Sequence, residues 1–503
     1  MDNYNQPFLF AKDRVLSFKF YVYLYALLAT LNSVLAGYDI GVMSGAVLFI
    51  KDDLDLNEVQ EEVLVGSLNL VSAIGCLIAG RVADMIGRRK TMAVAALISL
   101  LGTVQMTLAP SFSMLLTGRL LTGIGVGISL TIAPLYISEV SPAEIRGRMV
   151  SLPEVFVNIG ILLGYLANYL LSTSPINWRL MLGFGCIPAV LLLSSLIVLP
   201  ESPRWLVLQN RTREAESVLS KICRDREEAL FTLSEMIITA KAQTDELSCS
   251  EAGATDIKQA LTNNAHFQSN QKLKNDGSGV WLQLLCPTPN VRKLLIIALS
   301  LQFFQQASGI DALVYYTPSV LNQSGMTSKS TLLGATMTVG ITKALFVPVA
   351  SIYLDTVGRR PLLLASSLGM SAAMAVVGVS LASMGRSLSP TRSLPSQLEL
   401  GSISALVAIC AYMAFFSIGF GPICAVLTSE IFPSRLRSQA LSLGTVMNRT
   451  VSGGVAFSFL SIANAIGPPG TFFLFAGICL ASAVFVYTCI PETKGKTLEE
   501  LSK

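Results

Sequence analysis

The segment Asp84-Met-Ile-Gly-Arg-Arg89 separates two long apolar stretches, and its pattern returns 271 residues later as Asp355-Thr-Val-Gly-Arg-Arg360. Two more signatures also occur twice in the same order, each with an offset of 291 residues. They are Ser138-Glu139-Val-Ser-Pro142 and Ser429-Glu430-Ile-Phe-Pro433, then Pro200-Glu201-Ser202 and Pro491-Glu492-Thr493. Three signatures repeated in one order indicate that the chain consists of two related halves.

The apolar stretches around these signatures are long enough to cross a membrane, since a helix of about 20 residues spans the hydrocarbon core. Twelve such blocks, spans 1 to 12, lie at 20–50, 63–80, 91–109, 113–140, 149–172, 180–199, 293–321, 331–356, 361–384, 401–429, 439–467 and 470–490. Only 14% of the residues are charged, whereas soluble domains carry about 25%. We therefore predict an all-α membrane protein with twelve transmembrane helices, and we exclude soluble enzymes and nucleic-acid-binding proteins.

Two six-helix halves with a central site between them are the architecture of many secondary transporters. Lys and Arg concentrate in alternate loops, whereas the loop at 51–62 carries one Lys and six carboxylates. By the positive-inside rule, both termini and the central loop are then cytoplasmic. The predicted domains are a cytoplasmic N-terminus at 1–19, a six-helix half at 20–200, a cytoplasmic central loop at 201–292, a second six-helix half at 293–490 and a cytoplasmic C-terminus at 491–503.

The nine cysteines and the single histidine indicate neither a metal site nor a structural disulfide. The cysteines form no Cys-x-x-Cys pair, and none lies in a short external loop. His266 lies in the polar central loop, so no proton relay through histidine is expected.

Opposite charges recur where spans end on the predicted cytoplasmic side. We interpret them as an ion-pair latch that holds the two halves together while this side is closed and breaks when it opens. The candidate latch residues are Asp84, Arg88, Arg89, Glu139, Arg146, Glu201, Arg204, Asp355, Arg359, Arg360, Glu430, Arg437 and Glu492. The alternative is that the basic residues only retain these loops inside.

Several motifs together closely resemble the sugar porter family of the major facilitator superfamily, over nearly the whole chain. They are Gly118-Arg119, Asp84-x-x-Gly-Arg-Arg89, Pro200-Glu-Ser-Pro-Arg204, Gln305-Gln306-x-x-Gly309 and Pro491-Glu-Thr493. The stretches "GYDIGVMSGAVLFI", "FFQQASGIDALVYYTP" and "CAVLTSEIFP" are most similar to plant polyol and monosaccharide transporters of the polyol transporter 4 type. The resemblance implies alternating-access transport of hexoses, pentoses, inositols or linear polyols, coupled to protons in some members and passive in others.

Asp39 lies in span 1 with no basic residue within ten positions on either side. A charge at the centre of a bilayer costs about 2.5–3.5 kcal/mol on insertion scales, so we expect a partner. We predict that this partner is Arg119 in span 4. The resemblance implies that the matching Asp takes and releases the proton and that the matching Arg tunes it. The alternative is a static buried salt bridge.

Glycines surround Asp39 in the sequence. Gly37, Gly41 and Gly45 recur every four residues, which places them on one face of a helix. Small residues at this spacing allow two helix backbones to approach each other in a membrane. We therefore predict close helix packing around Asp39.

The resemblance also implies that Gln305, Gln306, Tyr315 and Asn448 bind the sugar. Amide side chains suit a polyhydroxylated ligand because each offers a donor and an acceptor to adjacent hydroxyl groups. The alternative is that these side chains are polar contacts that hold the helices together.

Four further candidate site residues depart from the common family pattern. Glu154 stands where Gln is usual, Asp311 and Lys343 where Asn is usual, and Ala425 where a Trp is usual. Asp311 follows Asp39 by 272 residues, close to the offset of the Gly-Arg-Arg turns. We predict that Asp311 is the pseudo-symmetric mate of Asp39 and that Lys343 neutralises it. Glu154 is then a third membrane carboxylate, free to share a proton or to bind a hydroxyl group.

Two alanines reduce the aromatic surface expected around a sugar. Ala425 replaces the Trp of span 10, and Ala36 stands where many relatives have Phe. A pyranose ring loses stacking surface at both positions, whereas a larger or linear ligand loses less. Within the predicted class of polyols and monosaccharides, the two alanines therefore favour a larger or linear ligand.

These observations predict a secondary active transporter that carries a small polyhydroxylated substrate with protons through the lipid bilayer, by alternating access. We expect no cofactor besides the proton as coupling ion, no metal, a monomer, and a multi-pass location in the plasma membrane. Asn322 begins a sequon in a predicted external loop and is a candidate glycosylation site. Two alternatives stay open: a proton-independent uniporter in which Asp39 is structural, and a sugar sensor that does not transport.

Overall fold

The computed structural model describes residues 6–142, 145–238, 289–387, 395–432, 434–490 and 492, and the regular secondary structure in these ranges is α-helical. His266, much of the central loop and the C-terminal tail lie outside them. The side chains of four candidate latch residues also lie outside the described part: Arg146, Asp355, Glu430 and Arg437.

The first half contains spans 1 to 6. Spans 1 to 5 are the single helices Gln6–Asp53, Glu58–Ile86, Arg88–Thr107, Phe112–Val140 and Arg146–Leu171. Span 6 consists of two shorter helices, Asn177–Gly183 and Cys186–Ser195. The central loop begins with the short helices Pro203–Leu208 and Thr212–Ile222.

The second half contains spans 7 to 12. Span 7 consists of Pro289–Ala307 and Ile310–Gln323, span 8 is Lys329–Val357, span 9 is Arg359–Ser387, span 10 consists of Pro395–Ile418 and Phe420–Ile431, span 11 is Ser434–Ile466, and span 12 is Pro468–Cys489.

Eleven of these spans are long and apolar enough to cross a membrane, among the residues that the structure describes. Span 11 has the length, with 33 residues, but Asn448 and Arg449 make it less apolar than the others. It lies in the same bundle as the other spans, against span 2. The predicted all-α architecture with twelve spans is thus confirmed.

Glycine interrupts two spans of the second half. Gly309 separates the two helices of span 7 with a φ of +89°, in the left-handed region that favours glycine. Gly419 separates the two helices of span 10, where a Cβ atom would lie only 2.2 Å from the Cβ atom of Ser366. A broken helix leaves backbone polar groups for other partners, which a membrane tolerates only where protein or a cavity surrounds them. Both breaks therefore mark the polar interior of the bundle.

Spans 1 and 5 pack closely because their glycines face each other. A Cβ atom at Gly37 would lie 2.0 Å from the carbonyl oxygen of Val157, and one at Gly160 would lie 2.4 Å from that of Val34. A Cβ atom at Gly41 would also lie 2.4 Å from a backbone oxygen of span 5. The predicted close packing around Asp39 is confirmed.

The bundle has two chemically different ends. We call the end with the turns Gly87–Arg89 and Gly358–Arg360 the basic end, and the end with Asp52, Glu58 and Glu62 the acidic end.

The two halves contact each other directly at the acidic end. Glu62 of span 2 accepts hydrogen bonds from the backbone N–H and the hydroxyl of Ser461 in span 11, at 2.7 and 2.6 Å. Lys329 of span 8 forms an ion pair with Asp52 of span 1, at 2.6 Å. Because spans 2 and 1 belong to one half and spans 11 and 8 to the other, the structure is closed at the acidic end.

Candidate functional site

Asp39 and Arg119 lie together in the interior of the first half, but their side chains do not pair as expected. Asp39 is 2% exposed and Arg119 is 0% exposed. Arg119 Nη1 donates to the backbone carbonyl of Asp39 at 3.0 Å, and Arg119 Nε donates to that of Leu64 at 3.4 Å. Within the described ranges, no ion pair joins the guanidinium to the carboxylate, and Asp39 Oδ2 has no hydrogen-bond partner. Arg119 thus lies beside Asp39 as predicted, but in this conformation the backbone carbonyls of spans 1 and 2, and not the carboxylate, bind its guanidinium.

The stability of the charged form of Asp39 depends on small movements of Arg119, because this carboxylate is buried and Arg119 contacts its backbone. If Arg119 turns from the carbonyl of Asp39 to its carboxylate, the charged form of Asp39 gains a strong hydrogen bond. If it turns away, that charge is buried without compensation. The arrangement can therefore link protonation of Asp39 to the position of span 4.

Four amide side chains form one connected cluster between spans 7 and 11. Gln306 Nε2 donates to Asn448 Oδ1 at 3.0 Å, and Asn448 Nδ2 donates to Gln305 Oε1 at 2.6 Å and to Gln302 Oε1 at 3.0 Å. All four residues are buried. The structure thus brings the predicted residues Gln305, Gln306 and Asn448 together.

Gln302 is a member of this amide cluster that the sequence analysis missed. It precedes Gln305 by three residues and Gln306 by four, which places all three on one face of a helix. That spacing was the signal that could have identified it.

Gln305 also binds the backbone at the break between the two helices of span 10. Its Nε2 atom donates to the backbone carbonyls of Phe420 at 2.9 Å and of Gly421 at 3.1 Å. These residues follow directly after the interruption at Gly419. Gln305 therefore joins the amide cluster to the broken helix that carries Ala425, which is exposed in the structure.

Tyr315 connects the two halves of the protein. Its hydroxyl donates to Asn69 Oδ1 in span 2 at 3.4 Å, and it lies close enough to Arg119 for an electrostatic interaction. Tyr165 makes a second contact of this kind, because its hydroxyl donates to the carbonyl of Val314 at 2.8 Å. The second helix of span 7 is therefore tied to the half that carries Asp39.

Asp311 and Lys343 are both buried, but they do not form the predicted ion pair in this conformation. The Asp311 carboxylate accepts a hydrogen bond from the hydroxyl of Ser452. Lys343 Nζ lies 5.9 Å from the ring centroid of Phe416, a cation–π contact. Within the described ranges, no ion pair within 4.0 Å joins Lys343 to Asp311. Lys343 nevertheless lies within electrostatic range of Asp311, so its role in neutralising Asp311 stays a prediction.

Glu154 and Asn322 both have exposed side chains. Glu154 of span 5 lies near enough to Lys343 for an electrostatic interaction across the two halves. Its side chain accepts a long hydrogen bond of 3.5 Å from Asn158. Asn322 lies at the end of the second helix of span 7. Their assigned roles stay predictions.

Arg449 is a second site residue that the sequence analysis missed. Its Nε and Nη2 atoms donate to Asn448 Oδ1 at 3.1 and 2.7 Å. Tyr315 and Lys343 of its own half and Cys76 of the other lie within electrostatic range of its charge. A charge inside a transmembrane span is a functional signal by itself, and this signal was present in the sequence.

Several of the predicted latch residues contact one another at the basic end of the first half. Arg88 binds Glu139 through Nε at 2.9 Å and Asp84 through Nη1 at 3.1 Å. Glu201 accepts hydrogen bonds from the backbone N–H groups of Arg88 and Arg89, at 2.8 and 3.0 Å. A carboxylate at a helix N-terminus is stabilised by the helix dipole.

The second half repeats this arrangement. Glu492 accepts hydrogen bonds from the backbone N–H groups of Arg359 and Arg360, both at 3.1 Å. Arg204 is exposed. The contacts named here connect helix ends of the same half, and pairing between the halves stays a prediction for a conformation closed at the basic end.

We predict that Glu139→Gln destabilises the protein, whereas Asp84→Asn has little effect. Both carboxylates bind Arg88, but the Glu139 side chain is 4% exposed and that of Asp84 is 71% exposed. Removing one partner of a buried pair costs about 3–5 kcal/mol, and an exposed pair contributes about 0–1 kcal/mol. Thermal unfolding of the purified variants measures the difference. Equal unfolding temperatures for the two variants would contradict this assignment.

Comparison with known proteins connects this geometry to transport. The profile of the family described as "Sugar (and other) transporter" matches residues 25–503. Probable polyol transporter 4 of Arabidopsis thaliana is 46% identical over 483 residues, which cover 96% of this chain and 84% of that protein. Polyol transporter 5 of the same plant is 44% identical over 486 residues, covering 96% and 86%.

Solved structures of one bacterial transporter share the fold. The partially occluded inward open conformation of the xylose transporter XylE from E. coli matches with a TM-score of 0.75 and 27% identity, covering 95% of this chain and all of that one. The proton:xylose symporter XylE bound to 6-bromo-6-deoxy-D-glucose matches with a TM-score of 0.73 and 28% identity, covering 96% and 98%.

Proposed function

We propose that this chain, which belongs to the sugar transporter family of the major facilitator superfamily, carries a polyol or monosaccharide together with protons by alternating access. The observation that carries the proposal is Asp39, a buried carboxyl group with Arg119 bonded to its backbone carbonyl. A transporter that couples to protons needs a buried group whose charge is stabilised in one conformation and not in another. The likeness to a proton:xylose symporter supports the same assignment.

The amide cluster supports a polyhydroxylated substrate. Gln306 and Asn448 connect spans 7 and 11 next to the ionisable residues Asp311, Lys343 and Arg449. Amide and charged groups together offer donors and acceptors that match several hydroxyl groups at once. Ala425 in place of a Trp leaves less surface for stacking of a sugar ring, and relatives that are polyol transporters favour the polyol.

We assign the basic end to the cytoplasm and the acidic end to the outside, following the positive-inside rule. In this assignment both termini and the central loop are cytoplasmic, the domain boundaries are those expected from the sequence, and the structure is inward-facing. Asn322 then lies outside, where glycosylation can occur. We place the protein in the plasma membrane as a monomer, with the proton as coupling ion and without another cofactor.

The direct test is uptake of radiolabelled sorbitol, mannitol, xylitol, myo-inositol, D-xylose and D-glucose in cells that lack their own carriers, at two external pH values. We expect accumulation of at least one polyol, faster at the lower pH and abolished by a protonophore. Equilibration that is insensitive to the protonophore would instead identify a uniporter in which Asp39 is structural. Uptake of D-glucose without any polyol would contradict the preference for a polyol and leave transport of a monosaccharide.

A further inference from the structure

We propose that a basic pocket beside the start of span 1 binds the phosphate group of an anionic membrane lipid. The pocket lies at the basic end, between span 1 and the first helices of the central loop, and its volume is about 580 Å³. Sites for small ligands usually have volumes of about 300–1,000 Å³. The pocket shares no residue with the site described above, so the inference stands independently of the proposed function.

The helix Thr212–Ile222 forms one wall of the pocket and has two faces of opposite character. Its apolar face packs against the core at the basic end, through Ala215, Val218, Leu219 and Ile222. Arg213 and Lys221 lie on the other face, where both are exposed and line the pocket. Because they are eight residues apart, slightly more than two helical turns, they form one basic stripe along the helix.

The segment that follows this helix adds further charges to the pocket. Arg224 and Arg226 line it where the chain enters a second helix, at 226–238. Among the described lining residues, four are thus basic, whereas Glu216 and Asp225 are acidic, which leaves an excess of two positive charges. The Glu216 carboxylate lies 3.9 Å from Arg226 Nη2, at the long limit of an ion pair. Guanidinium and ammonium groups are the preferred protein partners of phosphate oxygens.

Tyr21 places this pocket at the membrane surface. It lines the pocket and lies in the first turn of the apolar part of span 1, which begins at Phe20. Phe20 is 62% exposed, and its ring packs edge to face on that of Tyr21, with the centroids 5.8 Å apart. Exposed aromatic side chains at the end of a membrane-spanning helix lie among the lipid headgroups. The pocket therefore adjoins the headgroup layer.

Exposed apolar side chains flank the pocket on the helix at 226–238. Leu230 lines the pocket and is 44% exposed, and the adjacent Phe231 is 63% exposed. Cations beside exposed apolar side chains are typical of a protein surface that lies in the interface of a membrane, and basic clusters next to a span attract anionic lipids. A soluble phosphate contacts only the cations, whereas a lipid contacts both kinds of side chain. The observations therefore favour a lipid.

The test measures binding of dioctanoyl phosphatidic acid to the purified full-length protein by native mass spectrometry, which counts the lipids bound. The wild type should bind this lipid. The double variant Arg213→Gln/Lys221→Gln should bind it at least about tenfold more weakly, which equals about 1.4 kcal/mol. Glu216→Gln should bind it more tightly, because the excess of positive charge increases. All three side chains are at least partly exposed, so we expect the fold to persist.

Arg211→Gln is the matched control, because it removes one positive charge from the same region without changing the pocket lining. Arg211 is exposed and pairs with Glu214 through two hydrogen bonds of 2.7 Å, and neither residue lines the pocket. We expect this variant to bind the lipid as the wild type does. Equal binding by the wild type and the double variant would overturn the proposal, as would a loss in Arg211→Gln as large as that in the double variant.

Two further probes separate the possible sources of the phosphate group. Dioctanoyl phosphatidylcholine has the same acyl chains but no net charge, and inorganic phosphate has the charge but no acyl chains. We expect the first to bind at least about tenfold more weakly, and we expect the second, at equal concentration, to leave bound phosphatidic acid in place. Displacement by inorganic phosphate would show a site for soluble phosphates and overturn the assignment to a lipid. Equal binding of phosphatidylcholine would show that the acyl chains alone are recognised, which would also overturn it.

Discussion

Asp39→Asn is expected to abolish accumulation of substrate against a gradient, while exchange of labelled for unlabelled substrate across the membrane persists. Asn has nearly the same shape as Asp but carries no titratable proton. Arg119 bonds the backbone carbonyl of residue 39, and this contact survives the substitution, so we expect the fold to persist. Uptake with and without a protonophore, together with counterflow at equal substrate concentrations, measures the two activities separately.

Asp311, the predicted counterpart of Asp39 in the internal repeat, provides the control substitution for Asp39→Asn. Asp311 is also a buried acid in a transmembrane span, but the hydroxyl of Ser452 bonds its carboxylate. We expect Asp311→Asn to raise the KM for substrate and to keep the sensitivity to a protonophore. If Asp39→Asn still accumulated substrate in a protonophore-sensitive way, Asp39 would be structural and the coupling residue would lie elsewhere.

Gly453→Leu is expected to stop transport almost completely, whereas Gly454→Leu should transport at close to the normal rate. A Cβ atom at Gly453 would lie 2.5 Å from Leu70 Cγ and 3.0 Å from the Leu70 backbone nitrogen, on the opposite half of the protein. Nothing lies within 4 Å of a Cβ atom at Gly454. The larger side chain at Gly453 therefore keeps spans 2 and 11 apart, so the acidic end cannot close.

Because the clash lies between halves that separate during the cycle, Gly453→Leu should remain folded and open at the acidic end. Binding of substrate from that side distinguishes a trapped transporter from a misfolded one, and we expect binding to persist. The adjacent glycine controls for the change in volume and helix propensity. Equal uptake by the two variants would show that the halves need not approach this closely at Gly453.

Much of the architecture was predictable because it depends on local patterns. The length of the apolar blocks defines the spans, since a bilayer has a nearly constant thickness. The duplicated signatures with Glu139 and Glu430 define the two halves. The spacing of Gly37 and Gly41 predicted close packing, because residues four apart share one face of a helix.

The residues that form the site were only partly predictable from the sequence. Gln305, Gln306 and Asn448 were identified, and they do form one cluster. Gln302 carried the same helical spacing, and Arg449 carried a charge within a span, but neither signal specifies a partner. Asn448 lies more than 140 residues from the glutamines that it bonds. A contact between residues so far apart along the chain is decided by the packing of the helices.

By itself the sequence determined the number of spans, their pairing into two halves and the presence of buried charges, because hydrophobicity and helical spacing are properties of each segment alone. Only the tertiary structure decided which groups those charges contact. Arg119 bonds the carbonyl of Asp39, Ser452 bonds Asp311, and Lys343 faces an aromatic ring. The physical reason is that the partners of a side chain depend on the rotation of each helix and on which end of the bundle is closed.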